Sequence, residues 1–195
     1  MRKNEKIQLL LDGINSSGAD PNTCRVTLHA IGTDDILSIT IGAFEGRAIY
    51  MGAKGIQQNR PMTHDLFSAV LGAMSVKLWR MVIYRVENGV FYSYLYFQKD
   101  FSVMRVDART SDALALAVRM SAPIFTYKEL LENALIGKDC FIRVEDDLNE
   151  FKDIEVITPG IDSLKKELDE AIAKENYEKA AKLRDQLKEL GYDKP

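Results

Sequence analysis

The stretch Met81–Phe97, MVIYRVENGVFYSYLYF, limits the fold more than any other part of the chain. Asn88-Gly89 separates two runs of β-branched and aromatic residues, and both turn residues tolerate the positive φ angles that a two-residue type I′ turn demands. A hairpin closed there sets Arg85 opposite Tyr92, Ile83 opposite Tyr94 and Met81 opposite Tyr96. The opposite face then carries Val82, Tyr84, Val86, Phe91, Leu95 and Phe97. A sheet with two apolar faces needs cover, so helices must come from elsewhere in the chain.

Apolar periodicity supplies them. Strands are expected at 6–12, 23–31, 36–42, 79–87, 90–98 and 101–107, and helices at 44–57, 63–75, 111–121 and 127–135. Hairpin strands mixed with separately spaced helices predict an α+β domain with a mixed β-sheet and packed helices, over residues 1–157. Composition shifts near residue 160. From 161 to 195 about half the residues are charged, with 9 acids against 8 bases. Apolar residues there recur at steps of three and four: Ile161, Leu164, Leu168 and Ile172, then Tyr177, Ala180, Leu183, Leu187 and Leu190. Asn176 can cap a second helix and Gly191 can stop it. The pattern predicts a small C-terminal α-helical hairpin over 161–195, linked through Thr158-Pro159-Gly160. Such a hairpin buries little surface and needs a partner.

The charge balance narrows the function classes. With 26 Lys and Arg against 29 Asp and Glu, the formal net charge is -3. Tight nucleic-acid binders carry a basic excess, because phosphate neutralisation drives binding. Contact with RNA or DNA by this chain would therefore be local or transient. No apolar run is long enough to cross a bilayer, and the N-terminus reads as a strand rather than a leader, so no membrane is expected and a cytoplasmic location is. Cys24 and Cys140 are far apart and outside any CxxC spacing, which argues against a disulfide framework or structural zinc. Neither GxxxxGK[ST], GxGxxG nor GxSxG occurs, and His29 and His64 lie in no metal-binding spacing.

Three helix starts share an acid: Glu45, Asp65 and Asp112. Thr63, Thr110 and Ser111 stand beside two of them. One account is structural. Acids in a first turn stabilise it by about 0.3–1 kcal/mol, hydroxyls cap it, and Arg109 pairs with Asp107 or Asp112. The other account is chemical. Asp107 ends a strand and Asp112 opens the next helix, so both lie at one rim. Glu45, Asp65, Asp107 and Asp112 would there meet Mg²⁺ or Mn²⁺, hard cations that take oxygen ligands. Arg109 would bind phosphate and His64 would move a proton. Helix N-termini repel cations and attract anions, so a phosphate-binding rim without metal stands between the two accounts. Tyr92, Tyr94 and Tyr96 share one strand face with Arg85 opposite Tyr92. Such a face either stacks bases or lies under a helix or second subunit.

IGAFEGRAI, RPMTHDLFSAVL and VDARTSDALALAVRMSAPIF, in that order and spacing, resemble the bifunctional nuclease domain family over roughly residues 6–140. The family pattern often has Cys where this chain has Phe44 and Pro where it has Thr110. Neither change removes an acid, and Phe44 argues against a required thiol. The tail SLKKELDEAIAKENYEKAAKLRDQLKEL resembles the UVR motif of UvrB and UvrC, with Tyr177 where Phe is usual. The resemblance implies a nuclease acting on RNA and DNA with a divalent metal, and a tail that binds a UVR-containing, repair or stress protein, or a second copy in a homodimer or higher oligomer. Within the matching motifs, chemistry selects Glu45, His64, Asp65, Asp107 and Asp112 as catalytic candidates, with Glu45, Asp107 and Asp112 as metal ligands. Arg109, Ser111, Arg85 and Tyr92 are the substrate-binding candidates. Tyr177, Ala180, Leu183, Arg184 and Leu187 are the partner-binding ones. Two alternatives stand beside the nuclease: a non-enzymatic adaptor that oligomerises and recruits partners, and a domain binding a small phosphorylated or carboxylated molecule.

Overall fold

The computed structural model describes residues 5–16, 20–100, 102–142, 168, 171–172 and 176–189. Along these the elements run β1 (Lys6–Ser16), β2 (Thr23–Ala30), β3 (Ile36–Gly42), α1 (Ala43–Ala53), α2 (Thr63–Ala73), β4 (Lys77–Glu87), β5 (Val90–Lys99), β6 (Ser102–Arg109), α3 (Thr110–Arg119), β7 (Ile124–Tyr127), α4 (Lys128–Leu135), β8 (Cys140–Phe141) and α5 (Tyr177–Glu189). The chain divides into two units, Met1–Asp146 and Asp147–Pro195. The linker expected at Thr158-Pro159-Gly160 lies outside the described residues.

The turn forms as the sequence requires, with φ of 49° at Asn88 and 75° at Gly89. Only the first expected pairing survives beyond it. Arg85 faces Tyr92, but a bulge between Ile83 and Arg85 inserts Tyr84 as an extra residue. Ile83 therefore faces Ser93, and Tyr94 faces Val82. A second bulge, between Leu78 and Arg80, leaves Tyr96 opposite Arg80 and Met81 opposite Leu95. Val82 and Tyr84 thus share the face of Tyr94 rather than the opposite one. The rings of Tyr84 and Tyr94 stack at 3.9 Å and 7°.

The sheet is mixed, in the order β3-β2-β1-β7-β4-β5-β6. β7 joins β4 in parallel, and β8 adds antiparallel at Arg85 and Val86. The α+β expectation holds, with β7 and β8 added to the predicted strands. Pairing registers carry Leu9, Val26, Leu28, Met81, Ile83, Ile124 and Leu95 to one face, where all are buried. Each such side chain contributes about 1.5–3 kcal/mol on burial. α1 and α3 cover this face, with Leu114 and Ile49 fully buried between the layers. Although β3 and β6 are the outermost strands in the order, residues of both line one cavity. The sheet curls until its margins converge. Among the described residues no helix is long and apolar enough to cross a membrane.

α2 is the exception to this packing. It buries none of its residues and touches α3. Phe67 meets Phe97 edge-on at 6.5 Å, yet it is exposed, as are Leu66, Val70 and the following Met74. In the second unit Asn176 Oδ1 accepts from Lys179 N at 3.2 Å, the cap its sequence position predicts. Leu168, Ala171, Ala180 and Leu183 pack together there.

Candidate functional site: a forked arginine at the converging sheet margins

Four helices start without a side-chain cap bond, at Gly42, Met62, Arg109 and Tyr127. The hydroxyls expected to cap do something else. Thr63 and Thr110 are the first residues inside their helices, and Thr110 Oγ1 meets Ser93 Oγ at 2.7 Å in the core. Of the first-turn acids, Asp65 bonds back to its own helix start, while Glu45 and Asp112 share Arg109.

Asp65 folds back to its own helix start, where Oδ2 accepts from Met62 N at 2.9 Å. Its Oδ1 accepts from Arg119 Nε at 2.6 Å. The Arg119 hydrogen bond, then the Met62 amide, hold the carboxyl below its ordinary value. Arg119 is nearly enclosed, and its Nη1 also donates to Ala48 O and Ala115 O, each at 2.8 Å. One guanidinium thus ties α1, α2 and α3 together. α1 approaches closely there: a Cβ on Gly52 would stand 2.6 Å from Arg119 Nη1. Asp65 is an anchor of α2, and the sequence reading overlooked Arg119 altogether. Its one visible signal was a lone base in the apolar run LALAVRM.

Asp107 has a partner of its own. Facing Tyr94 across the ladder, it accepts from Tyr84 OH at 3.1 Å through Oδ1. Burial first, then the bonds to Tyr94 and Asp107, push the Tyr84 phenol well above its usual value.

The remaining groups converge. Arg109 Nε donates to Asp112 Oδ2 at 2.7 Å and Nη2 to Asp112 Oδ1 at 3.1 Å, a two-pronged fork. Nη1 reaches Glu45 Oε1 at 3.4 Å. His64 Nε2 stands 3.3 Å from Asp112 Oδ1. Burial works to raise the Asp112 carboxyl, but Arg109 and then His64 outweigh it and leave it below its ordinary value. The Arg109 guanidinium is raised in turn, chiefly by its bonds to Asp112. Glycine at 42 allows this arrangement, because a Cβ there would collide with Glu45 Oε2. Glu45, Tyr92, Asp107, Arg109 and Ser111 line a cavity of about 330 Å³, with Arg109 68% exposed.

The metal grouping expected of Glu45, Asp107 and Asp112 is not formed. Glu45 and Asp112 both answer Arg109, a cation already between them, and Asp107 answers Tyr84. Among the described residues no group of three or more His, Cys, Asp or Glu side chains would hold a metal ion. The donor set fits an anion beside Arg109 better than Mg²⁺ or Mn²⁺.

The tyrosine face is no open platform either. Arg85 lies over Tyr92 at 4.7 Å, bonded also to Glu87, and Arg105 lies over Tyr94 at 4.5 Å. Tyr96 is fully buried under Arg80. Arg85 thus belongs to this stacked face, while Tyr92 reaches the cavity. In the tail, Ala180 and Leu183 turn inward onto Ala171, whereas Tyr177 and Arg184 are exposed. Leu187 sits on α5, its side chain outside the described residues.

A curled mixed sheet thus carries an Arg109–Asp112–His64 cluster at its margin. The model of the bifunctional nuclease domain matches residues 26–139, more than half of the chain, and the UvrB/uvrC motif matches residues 161–193. The chain belongs to the bifunctional nuclease domain family. It is similar to two uncharacterized proteins of Mycobacterium tuberculosis, MT1877 of strain CDC 1551 / Oshkosh and Rv1829 of strain H37Rv. Each is 35% identical over 101 residues, or 52% of this chain and 60% of the relative. The chain thus spans less than two thirds of the length of the curated relatives it matches.

Proposed function

We propose that this protein hydrolyses phosphodiester bonds of RNA and DNA at the Glu45–Arg109–Asp112–His64 cluster, and that its tail binds another protein. The observation that carries the reading is the Arg109 fork on Asp112, with His64 on the same carboxylate, beside an open cavity. Arg109 is exposed enough to trade Glu45 for a phosphate, and phosphate is common to both nucleic acids. The Thr110 and Ser111 end of α3 adds its positive helix pole to the same cavity.

The roles follow from the bonds. Asp112 holds both Arg109 and His64. When Nε2 donates to Asp112, Nδ1 keeps its lone pair and can accept a proton from attacking water. Water oxygen then bonds to phosphorus, the ester oxygen departs with the bonding pair, and Arg109 offsets charge on the non-bridging oxygens. Because the carboxylates do not fit a metal in this arrangement, no step is assigned to one.

Cleavage of end-labelled single-stranded RNA and DNA by the purified protein tests the reading, with an EDTA arm reporting separately on any metal requirement. His64→Ala should slow cleavage by about 10²–10⁴-fold, and Asp112→Asn should act in the same direction. Full activity in both variants would sink the assignment and point to a contaminating nuclease.

A second reading, a self-associating adaptor, is favoured by the outer side of α2, where Leu66, Val70 and Met74 face solvent. Light scattering that finds a monomer at all concentrations would dispose of it.

A further inference from the structure

A second recess opens beside the cluster, between the exposed side of α1 and the connection from α1 to α2. It measures about 600 Å³ and is lined by Phe44, Arg47, Gln57, Gln58, Asn59 and Arg60, with Met62 at its end. Phe44 is 86% exposed, the most exposed large apolar side chain among the described residues. Arg47 and Arg60 are exposed, and among the described residues neither has a hydrogen bond or ion pair. Both ends of the recess join the cluster through the chain itself: Phe44 precedes Glu45, and Met62 lies two residues before His64.

An exposed aromatic ring flanked by two unengaged guanidinium groups and three amides has the chemistry of a nucleotide seat. The ring offers a stacking plane, the guanidiniums offer charge to phosphates, and the amides offer donors and acceptors to base edges. With 26 Lys and Arg against 29 Asp and Glu, the chain has no overall basic excess, so a strand held here relies on few phosphate contacts. We propose that this recess holds one unpaired nucleotide next to the scissile ester, with its base on Phe44 and its flanking phosphates on Arg47 and Arg60. The substrate is then single-stranded RNA or DNA, because a base inside a duplex cannot leave its stack for Phe44 without breaking its pair. The site rests on the nuclease reading for its purpose, but its occupancy can be measured without it.

The test is fluorescence anisotropy with the full chain and a single strand of about ten nucleotides carrying phosphorothioate linkages. Phe44→Ala should weaken binding about tenfold or more, and Phe44→Trp should restore it. Arg47→Ala with Arg60→Ala should flatten the dependence of log affinity on log salt by about 1.4, two single-strand phosphate contacts. A matched duplex should bind more weakly than the single strand, and polyglutamate should fail to compete. Unchanged melting temperatures would show that the variants are folded. Wild-type affinity in Phe44→Ala, equal binding of duplex, or full competition by polyglutamate each overturns the proposal. Hydrolysis of bis(p-nitrophenyl) phosphate by the unaltered protein, a diester with no strand to seat, reports on the cluster alone. If the diester is cleaved while the variants bind normally, the strand site falls and the nuclease reading stands. If it is not cleaved while the variants lose binding, the nuclease reading falls and the strand site stands.

Discussion

Replacing Asp65 by Asn separates an anchor from a catalytic acid. Asp65 joins α2 to Arg119 at 2.6 Å, and Arg119 holds α1 and α3 through two backbone carbonyls. The side chain of Arg119 is 8% exposed and that of Asp65 34%. Asn keeps the shape but removes the charge, and its amide sets two donors against the donors of Arg119. Hydrogen bonds to charged groups contribute about 1.5–3 kcal/mol, and partial exposure of Asp65 favours the middle of that range, about 2 kcal/mol. For a unit of this size that corresponds to about 6 °C in Tm. α2 buries no residue of its own, so the loss should first show as local opening. Amide exchange over residues 62–74 should quicken about thirtyfold, since each 1.36 kcal/mol is a factor of ten. The pH dependence has a definite sign. Asp65 is depressed in the folded state, so its contribution is present above the unfolded value of about 3.9 and is lost as pH falls through the lower folded value. The gap between wild type and variant should therefore close on acidification below about pH 4. Unchanged exchange and Tm, with cleavage reduced a hundredfold, would refute the anchoring argument and return Asp65 to the catalytic set.

Other perturbations probe the remaining contacts. Gly42→Ala displaces only the far end of Glu45, so stability should hold while cleavage falls, as a melting curve beside a turnover assay would show. Arg109→Lys retains charge but not the fork on Asp112, and a loss of tenfold or more in kcat/KM is expected, about 1.4 kcal/mol. Gly46→Ala drives a methyl into Cys24 Sγ beneath α1, costing about 1–3 kcal/mol in denaturant titration. Leu183→Asp puts a charge among Leu168, Ala171 and Ala180, and the helical circular-dichroism signal of α5 should fall.

Local chemistry made the hairpin turn readable, because Asn88-Gly89 carries its geometry in two residues. The register was readable only as far as Arg85 and Tyr92. Tyr84 fits the apolar pattern equally well as an ordinary strand residue or as a bulge, so no periodicity marks the slip. β7 is four residues, IFTY, between Pro123 and the start of α4, too short for an alternation to show. At the site, the pairing of Arg109 with Asp112 was one of two partners that proximity in the chain suggested. His64 reaches Asp112 across 48 residues and Glu45 reaches Arg109 across 64. Contacts of that separation depend on how far the sheet curls, which its alternation does not encode. Asp65 and Asp112 look alike in sequence, each an acid following a Thr at a helix start. Only the neighbour supplied by folding, Arg119 or Arg109, divides anchor from site.

The meeting of the first and last strands of the sheet order also times the protein's competence during synthesis. A ribosome delivers Gly42 and Glu45 long before Arg109 and Asp112, and the lining of the cavity is incomplete until both margins have emerged and been drawn together. A half-made chain would hold a stray glutamate and a stray histidine but no partner for either. On this geometry the cavity closes in one step and late, once β6 and the start of α3 have followed β3 out of the ribosome.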